Sequence, residues 1–215
     1  MLTLLGKAPS INVRKVIWTC AEAGLEFQRE DWGAGFQSTD TDAFRALNPN
    51  GLVPVLIDGD FVLWESNTIC RYLAGIAGRD DLLPTSPRPR AQVERWMDWQ
   101  AGEFNNSWRY AFMGLIRQSP LHQDRDQIAA SLTNWAAHVA ILDRQLDQGG
   151  PFITGDVFTL ADILLGLSLH RWFALPPESL APESLAAENF AAAQAYYRRL
   201  AQRPAFIQQG LGRHG

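Results

Sequence analysis

The sequence predicts a two-part chain, with a mixed α/β region over residues 1–78 and an all-helical region over residues 88–215. In the first region, short apolar runs of strand length alternate with helical patterns. After Gly78 the strand signals stop, and only long helical patterns follow. An α/β region followed by an all-α region is a specific architecture, because each region must bury its own apolar faces.

The elements of the first region each have a local signal. The helix that begins at Ser10 is expected to end at Gly24, since glycine accepts the left-handed conformation of a helix C-cap. The segment Asp58-Gly59-Asp60 lies between two apolar runs and predicts a hairpin turn. The expected order is strand 2–5, helix 10–23, strand 25–31, helix 41–47, strands 53–57 and 61–64, and helix 65–77.

The second region is predicted from longer patterns. Residues 79–87 carry three charges and two prolines and are expected to link the two regions. The third helix beyond this linker follows a capping-box motif, in which Thr159 caps the helix and Asp162 reaches back to it. The four helices are expected at 88–117, 124–148, 159–173 and 184–202.

Composition excludes several classes of protein. The net charge is −4 and no cluster of Lys and Arg stands out, which argues against a nucleic-acid partner. No run approaches the length of a membrane span, and the N-terminus lacks the basic region of a secretory signal, so we expect a cytoplasmic protein. The only cysteines, Cys20 and Cys70, are expected to be buried, reduced thiols. The four histidines show no ligand spacing, and no metal is expected.

Four short motifs occur along the chain: S-I-N-V-R-K-V at Ser10–Val16, N-P-N-G-L-V-P-V-L at Asn48–Leu56, W-E-S-N-T-I at Trp64–Ile69, and F-T-L-A-D-I at Phe158–Ile163. In this order and at these spacings they resemble the cytosolic glutathione S-transferase family. The first motif is most similar to the serine-type bacterial and plant members, the phi-like and theta-like classes. The resemblance implies a thioredoxin-like first domain that binds glutathione and a helical second domain that binds an electrophile.

The pair Val53-Pro54 interrupts a strand signal, although proline cannot donate a hydrogen bond to a sheet. The resemblance implies a cis bond here, which would turn the backbone of Val53 toward the cysteinyl backbone of glutathione. The alternative is a trans proline on an edge strand. Many family members carry Gln or Lys at the preceding position, where this chain has Leu52, whose side chain cannot hydrogen-bond.

The pair Glu65-Ser66 follows a strand and opens a helix. A helix N-terminus offers unpaired N–H groups and a partial positive charge, which suit a carboxylate ligand. The resemblance implies that Ser66 holds the γ-glutamyl carboxylate of glutathione while Glu65 pairs with its ammonium group. The alternative is that Ser66 is an ordinary N-cap.

Ser10 is the candidate catalytic residue, because it begins a helix at the carboxyl end of the first strand, where α/β sheets place ligands. Only the thiolate form of a thiol is nucleophilic. A hydroxyl that donates a hydrogen bond to the sulfur, next to a helix N-terminus, favours that form. Asn12 is the second candidate donor, and an ordinary N-cap role for Ser10 is compatible with the catalytic one.

The remaining site predictions follow from the resemblance. Trp32 and Gln37 are the polar-capable residues expected near the glycine end of glutathione. A two-fold homodimer is implied, in which Asp98 of one subunit reaches the ammonium of the glutathione bound to the other. The electrophile pocket is expected between the domains, against the first long helix, with Trp108, Arg109, Phe112 and Met113.

The predicted function is therefore a glutathione transferase, a detoxifying enzyme with glutathione as co-substrate and an apolar electrophile as second substrate. One alternative is a glutathione-dependent disulfide reductase or peroxidase, which would carry a cysteine at the position of Ser10. Another is a non-catalytic binding module of the same family, which would lack Ser10 or the pair Glu65-Ser66.

Overall fold

A computed structural model of the chain describes residues 1–176 and 190–208. These residues form two compact units. The first unit contains residues 1–90 together with 203–208, and the second contains residues 91–202 apart from the undescribed stretch.

The first unit contains a four-stranded sheet in the order β2-β1-β3-β4. Strand β1 is parallel to β2 and antiparallel to β3, and β3 is antiparallel to β4. The hairpin between β3 and β4 turns at Gly59, whose φ of 62° is in the left-handed region that glycine accepts. The strands are β1 at Leu2–Leu5, β2 at Phe27–Glu30, β3 at Val55–Asp58 and β4 at Phe61–Trp64.

Three helices accompany this sheet, and the predicted mixed α/β region is confirmed. Helix α1 ends at Gly24, as expected, with the N–H of Gly24 bonded to the carbonyl of Cys20. Val13 and Val16 of α1, Leu56 of β3 and Ile69 of the third helix are fully buried. The helices are α1 at Ile11–Ala23, α2 at Asp42–Leu47 and α3 at Ser66–Ile76, and α1 packs against α3.

The second unit is helical, as predicted. The described residues between 91 and 202 contain no strand, only an isolated antiparallel bridge between Phe152 and Gly155. The expected helix 88–117 consists of successive segments, because the chain widens twice into π-helical turns at Gln100–Phe104 and Phe112–Ile116. The α-helices are α4 at Pro87–Trp99, α5 at Asn105–Ala111, α6 at Arg125–Gly149, α7 at Leu160–Phe173 and α8 at Ala191–Ala201.

The capping-box prediction at the start of α7 is confirmed. The backbone N–H and the hydroxyl of Thr159 both donate to Asp162, at 2.7 and 3.0 Å. Phe158 and Ile163 on either side are buried. The predicted fourth helix, 184–202, corresponds to α8, and its first residues, 184–189, lie outside the described part of the chain.

The C-terminal end differs from the predicted domain boundary, which placed all of 88–215 in the helical domain. Helix α9, at Pro204–Ile207, belongs to the first unit and packs against α1. Phe206 lies edge-on to Trp18, with ring centroids 4.9 Å apart. The guanidinium of Arg203 donates two hydrogen bonds of 2.7 Å to the carboxylate of Glu22. A long-range ion pair and an aromatic contact therefore tie this segment to the sheet-bearing unit.

Candidate active site

A small cavity of about 60 Å³ lies in the first unit, where three segments that are distant in sequence meet. The segments are the start of α1, the loop before β3 and the start of α3. The peptide bond between Val53 and Pro54 is cis, as expected. The lining residues are Asn12, Asn48, Asn50, Leu52, Val53, Pro54, Glu65 and Ser66.

The loop before the cis bond is organised by a buried asparagine. The amide nitrogen of Asn48 donates to the carbonyl of Leu52 at 2.7 Å. Its amide oxygen accepts from the backbone N–H and the side-chain amide of Asn50, at 3.0 and 3.1 Å. Asn48 and Asn50 were not among the predicted site residues, although both belong to the N-P-N-G motif. A paired asparagine beside a proline and a glycine is the signal that could have identified them.

At the start of α3, Glu65 and Ser66 occupy different positions relative to the first turn of the helix. Glu65 occupies the N-cap position with φ of 72°, a conformation that side-chain-bearing residues rarely adopt. Ser66 is the first helical residue and is 7% exposed. The alternative in which Ser66 is the N-cap is therefore wrong. The first N–H groups of a helix have no partner within it, and Glu65 and Ser66 at this end of α3 both line the cavity.

Ser10 occupies the N-cap position of α1, and its side chain makes no capping hydrogen bond. Its hydroxyl is therefore not committed to the helix that it precedes. The chain just after β1 approaches α1 closely, because a Cβ at Gly6 would clash with the side chain of Val13. Ser10 does not line the small cavity, whereas the exposed Asn12, two residues further on, does.

Two of the remaining predicted glutathione contacts lie together and do not line the small cavity. Trp32 and Gln37 pair in an isolated bridge, with the N–H of Gly33 bonded to the carbonyl of Gln37 at 2.8 Å. The Trp32 ring packs against Phe44, with centroids 5.0 Å apart, in the core beneath the sheet. Asp98 is exposed on α4 in the second unit.

The predicted electrophile residues lie in and around α5. Trp108 and Phe112 are mostly buried and meet edge to face, with ring centroids 5.4 Å apart. The guanidinium of Arg171 on α7 lies over both rings, 4.6 Å from the centroid of Trp108 and 4.1 Å from that of Phe112. Arg109 is exposed and Met113 is half-buried.

A larger cavity, about 400 Å³ in volume, lies in the helical unit between α4 and α6. Its lining does not include any of the four predicted electrophile residues. The lining residues are Arg95, Trp96, Trp99, Ile141 and Gln145.

Residues 1–176 and 190–208 offer neither a candidate metal site nor a candidate membrane span. Within these ranges no three His, Cys, Asp or Glu side chains are grouped so that they could hold a metal ion. No helix in the same ranges is both long and apolar enough to span a bilayer.

The first unit is an α/β unit in which a cis proline lies beside two helix N-termini, and a helical unit follows it in the chain. These features define a class of two-domain proteins whose first domain is thioredoxin-like. Two family models match the chain: the N-terminal domain of glutathione S-transferase over residues 1–75, and its C-terminal domain over residues 125–199. The chain belongs to the glutathione S-transferase family.

Individual relatives agree with this assignment. The chain is 37% identical over 212 residues to glutathione S-transferase GstB of Escherichia coli, covering 95% of each protein. It is 32% identical over 216 residues to glutathione S-transferase 3 of Zea mays, covering 95% of this chain and 91% of the relative. A theta-class glutathione S-transferase from Xanthomonas axonopodis pv. citri, solved with glutathione bound, superposes with a TM-score of 0.89. That protein is 39% identical, with 100% of this chain and 99% of the other covered.

Proposed function

We propose a residue-level mechanism by which this chain, a glutathione transferase, activates the thiol of glutathione for attack on an electrophilic small molecule. The observation that carries the proposal is the cavity where Asn12, Val53, Glu65 and Ser66 converge. It combines a cis Val-Pro pair, a carboxylate and a helix N-terminus, which are complementary to the backbone, the ammonium and the carboxylate of the tripeptide.

The binding step uses the cavity residues. The γ-glutamyl carboxylate accepts hydrogen bonds from the N-terminal N–H groups of α3 and from the hydroxyl of Ser66. The ammonium group of the same residue pairs with Glu65. The backbone of Val53 hydrogen-bonds the cysteinyl residue as an added strand, next to Pro54 and Leu52. Trp32 and Gln37 contact the glycine end of the tripeptide in this proposal.

The chemical step uses the start of α1. The hydroxyl of Ser10 donates a hydrogen bond to the sulfur, and the partial positive charge of the helix N-terminus adds to the stabilisation of the thiolate. The thiol releases its proton to solvent, and the thiolate attacks an electrophilic carbon to form a thioether bond. In a substitution the halide departs with the electron pair of its bond, and in an addition to an enone the α-carbon takes up a proton from solvent. Asn12 is the alternative donor because it lines the cavity directly.

The electrophile is proposed to meet the surface formed by Trp108, Phe112 and Met113, with Arg109 at its edge. The two rings are mostly buried and the guanidinium of Arg171 lies over both, so it adds a positive charge to this apolar site. Such a surface suits a flat electrophile with an acceptor substituent, such as a nitro or carbonyl group.

The assembly and cellular setting belong to the same proposal. The enzyme is a two-fold homodimer in which Asp98 of one subunit reaches the glutathione ammonium of the other. It acts in the cytoplasm, in the detoxification of reactive compounds.

The test compares the wild-type chain with Ser10→Ala. Wild type is expected to bind glutathione and to conjugate a halo-aromatic electrophile. Ser10→Ala should bind glutathione with little change but turn over far more slowly. A hydrogen bond to a charged group contributes roughly 1.5–3 kcal/mol, so the pKa of the bound thiol should rise by about one to two units. Ultraviolet absorbance of the thiolate gives this pKa directly.

Asn12→Ala is the matched comparison. An unchanged thiol pKa and full activity in Ser10→Ala would remove the serine from the mechanism, and a shifted pKa in Asn12→Ala would assign the role to the asparagine. Reduction of a glutathione mixed disulfide without conjugation would instead support the reductase alternative.

A further inference from the structure

Lys15 is a buried lysine at the contact between α1 and α3. Its side chain is 3% exposed, and its ammonium donates a 3.1 Å hydrogen bond to the amide oxygen of Asn67, which is itself 8% exposed. The positive charge lies close enough to the buried thiol of Cys70, one turn further along α3, to oppose the rise that burial imposes on the pKa of that thiol. The ammonium is therefore close to the first turns of α3.

This hydrogen bond joins the two helix ends that form the proposed site. Helix α1 begins after Ser10, and Lys15 is in its second turn. Asn67 is the second residue of α3 and directly follows Ser66. This side-chain contact connects the helix proposed to activate the thiol to the helix end proposed to hold the γ-glutamyl group.

The start of α3 needs such an attachment. Glu65 has φ of 72°, and a left-handed conformation at a residue with a side chain persists only where the surrounding structure holds it. Asn67, two residues further on, is the point nearest the start of α3 at which a side-chain hydrogen bond fixes it to α1, while the Thr19–Cys70 contact lies one turn further along. If the attachment is lost, Glu65 and Ser66 can relax toward ordinary helix-start geometry, with their donors and carboxylate no longer aimed at one point.

A lysine is a costly choice if packing is its only purpose. Burying an ammonium requires it to be desolvated, and an apolar side chain of similar length would fill the space without that penalty. What the charged group adds is a directional bond to one acceptor.

We propose that Lys15 is a positioning residue for glutathione binding, acting through Asn67 on the start of α3. The inference rests on the proposed function, since it assigns a support to the same site. It predicts a loss of glutathione affinity with no change in thiol activation, because Ser10 is untouched.

The test uses the full-length chain and four variants. Lys15→Met removes the charge and the hydrogen bond at similar length, Asn67→Ala removes the acceptor, and Lys15→Arg keeps a cationic donor. Thr19→Val is the matched control, because the buried hydroxyl of Thr19 donates to the Lys15 carbonyl at 2.8 Å and hydrogen-bonds Cys70 of α3, one turn further from the start of α3 than Asn67. Glutathione Kd, bound-thiol pKa and Tm are measured for each.

Lys15→Met and Asn67→Ala should each raise Kd by roughly tenfold, the scale of one charge-assisted hydrogen bond, and leave the bound-thiol pKa unchanged. Lys15→Arg should stay within about threefold of wild type, and Thr19→Val should lower Tm without changing Kd. Folded Lys15→Met or Asn67→Ala with wild-type Kd would overturn the proposal. If Lys15→Met does not fold, Asn67→Ala alone decides. A wild-type chain that neither binds nor conjugates glutathione would instead overturn the proposed function.

Discussion

The hydroxyl of Tyr196 on α8 donates a 2.7 Å hydrogen bond to the carboxylate of Asp162 in the first turn of α7. Both residues are buried, and the same carboxylate also accepts from the backbone N–H groups of Ile153 and Thr159. One side chain therefore joins a loop, a helix start and a second helix inside the helical unit. Burial raises the pKa of Asp162, although these donors favour its charged form.

Asp162→Asn is expected to destabilise the chain by about 2–4 kcal/mol, because an amide cannot accept all of these hydrogen bonds and leaves buried donors unpaired. Denaturant unfolding followed by tryptophan fluorescence measures the loss. Tyr196→Phe removes only one donor and should cost about 1 kcal/mol. Equal stability of Asp162→Asn and wild type would contradict this account.

Much of the fold can be predicted from the sequence because its signals are local. The capping box at Thr159 and Asp162, the hairpin at Gly59 and the end of α1 at Gly24 each depend on neighbouring residues. The predicted strands and helices of the first region begin and end within a few residues of those observed. The cis bond at Pro54 followed from the resemblance and not from the local pattern.

Other features depend on contacts that sequence patterns do not reveal. Arg203 meets Glu22 across 181 residues, so the assignment of α9 to the first unit has no local signal. A lysine in a helix is ordinarily solvent-exposed, whereas Lys15 is buried on α1, which packs against α3. Serine is also a better N-cap than glutamate, yet tertiary structure places Glu65 there.

The Glu22–Arg203 pair predicts a pH-dependent contribution to stability. Burial alone would raise the pKa of Glu22, but hydrogen bonds from Arg203 and Trp18, with nearby positive charges, outweigh it and lower the pKa below 4.5. A lowered pKa in the folded state stabilises the protein above the unfolded pKa, and this contribution is lost as pH falls through the folded value.

Arg203→Ala should therefore cost about 2 kcal/mol near pH 7, as expected for hydrogen bonds to a charged group. The difference from wild type should be constant above about pH 5.5 and shrink below pH 4.5 as Glu22 becomes protonated. Thermal unfolding across this range measures it, with Glu22→Gln as the partner variant. A difference that persists unchanged at pH 3 would contradict the ion-pair origin.

The two thiols should be chemically inert in the folded chain. Burial raises the pKa of Cys20 to about 12 and that of Cys70 to about 11, so neither forms appreciable thiolate at neutral pH. A thiol reagent should label fewer than roughly 0.1 equivalents in the native state and both cysteines after unfolding. Rapid labelling of a native thiol would show that the contact between α1 and α3 opens readily.

Glu65 offers a test of a trade-off between stability and binding. Glu65→Gly should stabilise the chain by up to about 1 kcal/mol, since glycine adopts a positive φ without strain. It should also weaken glutathione binding, because the carboxylate proposed to pair with the ammonium is removed. Glu65→Gln is the control, as it retains the backbone strain and loses only the charge. Calorimetric titration and thermal unfolding separate the two effects.

Leu52 provides a way to strengthen the proposed site. Its side chain is 65% exposed and lines the cavity, while its carbonyl is held by the amide of Asn48. The backbone is thus fixed independently of the side chain, and a substitution at an exposed position should change stability by less than about 0.5 kcal/mol.

Leu52→Gln places an amide at the rim of the cavity, where it can hydrogen-bond the backbone of the bound tripeptide. One such bond contributes about 0.5–1.5 kcal/mol, so glutathione Kd should fall by roughly two- to tenfold. Leu52→Met, which matches the length without a hydrogen-bonding amide, should leave Kd unchanged. Because the sulfur is held by Ser10 in the proposed mechanism, the pKa of the bound thiol should be the same in all three proteins. Weaker binding by Leu52→Gln would show that the bound tripeptide needs an apolar contact at this position, and would place its backbone away from residue 52.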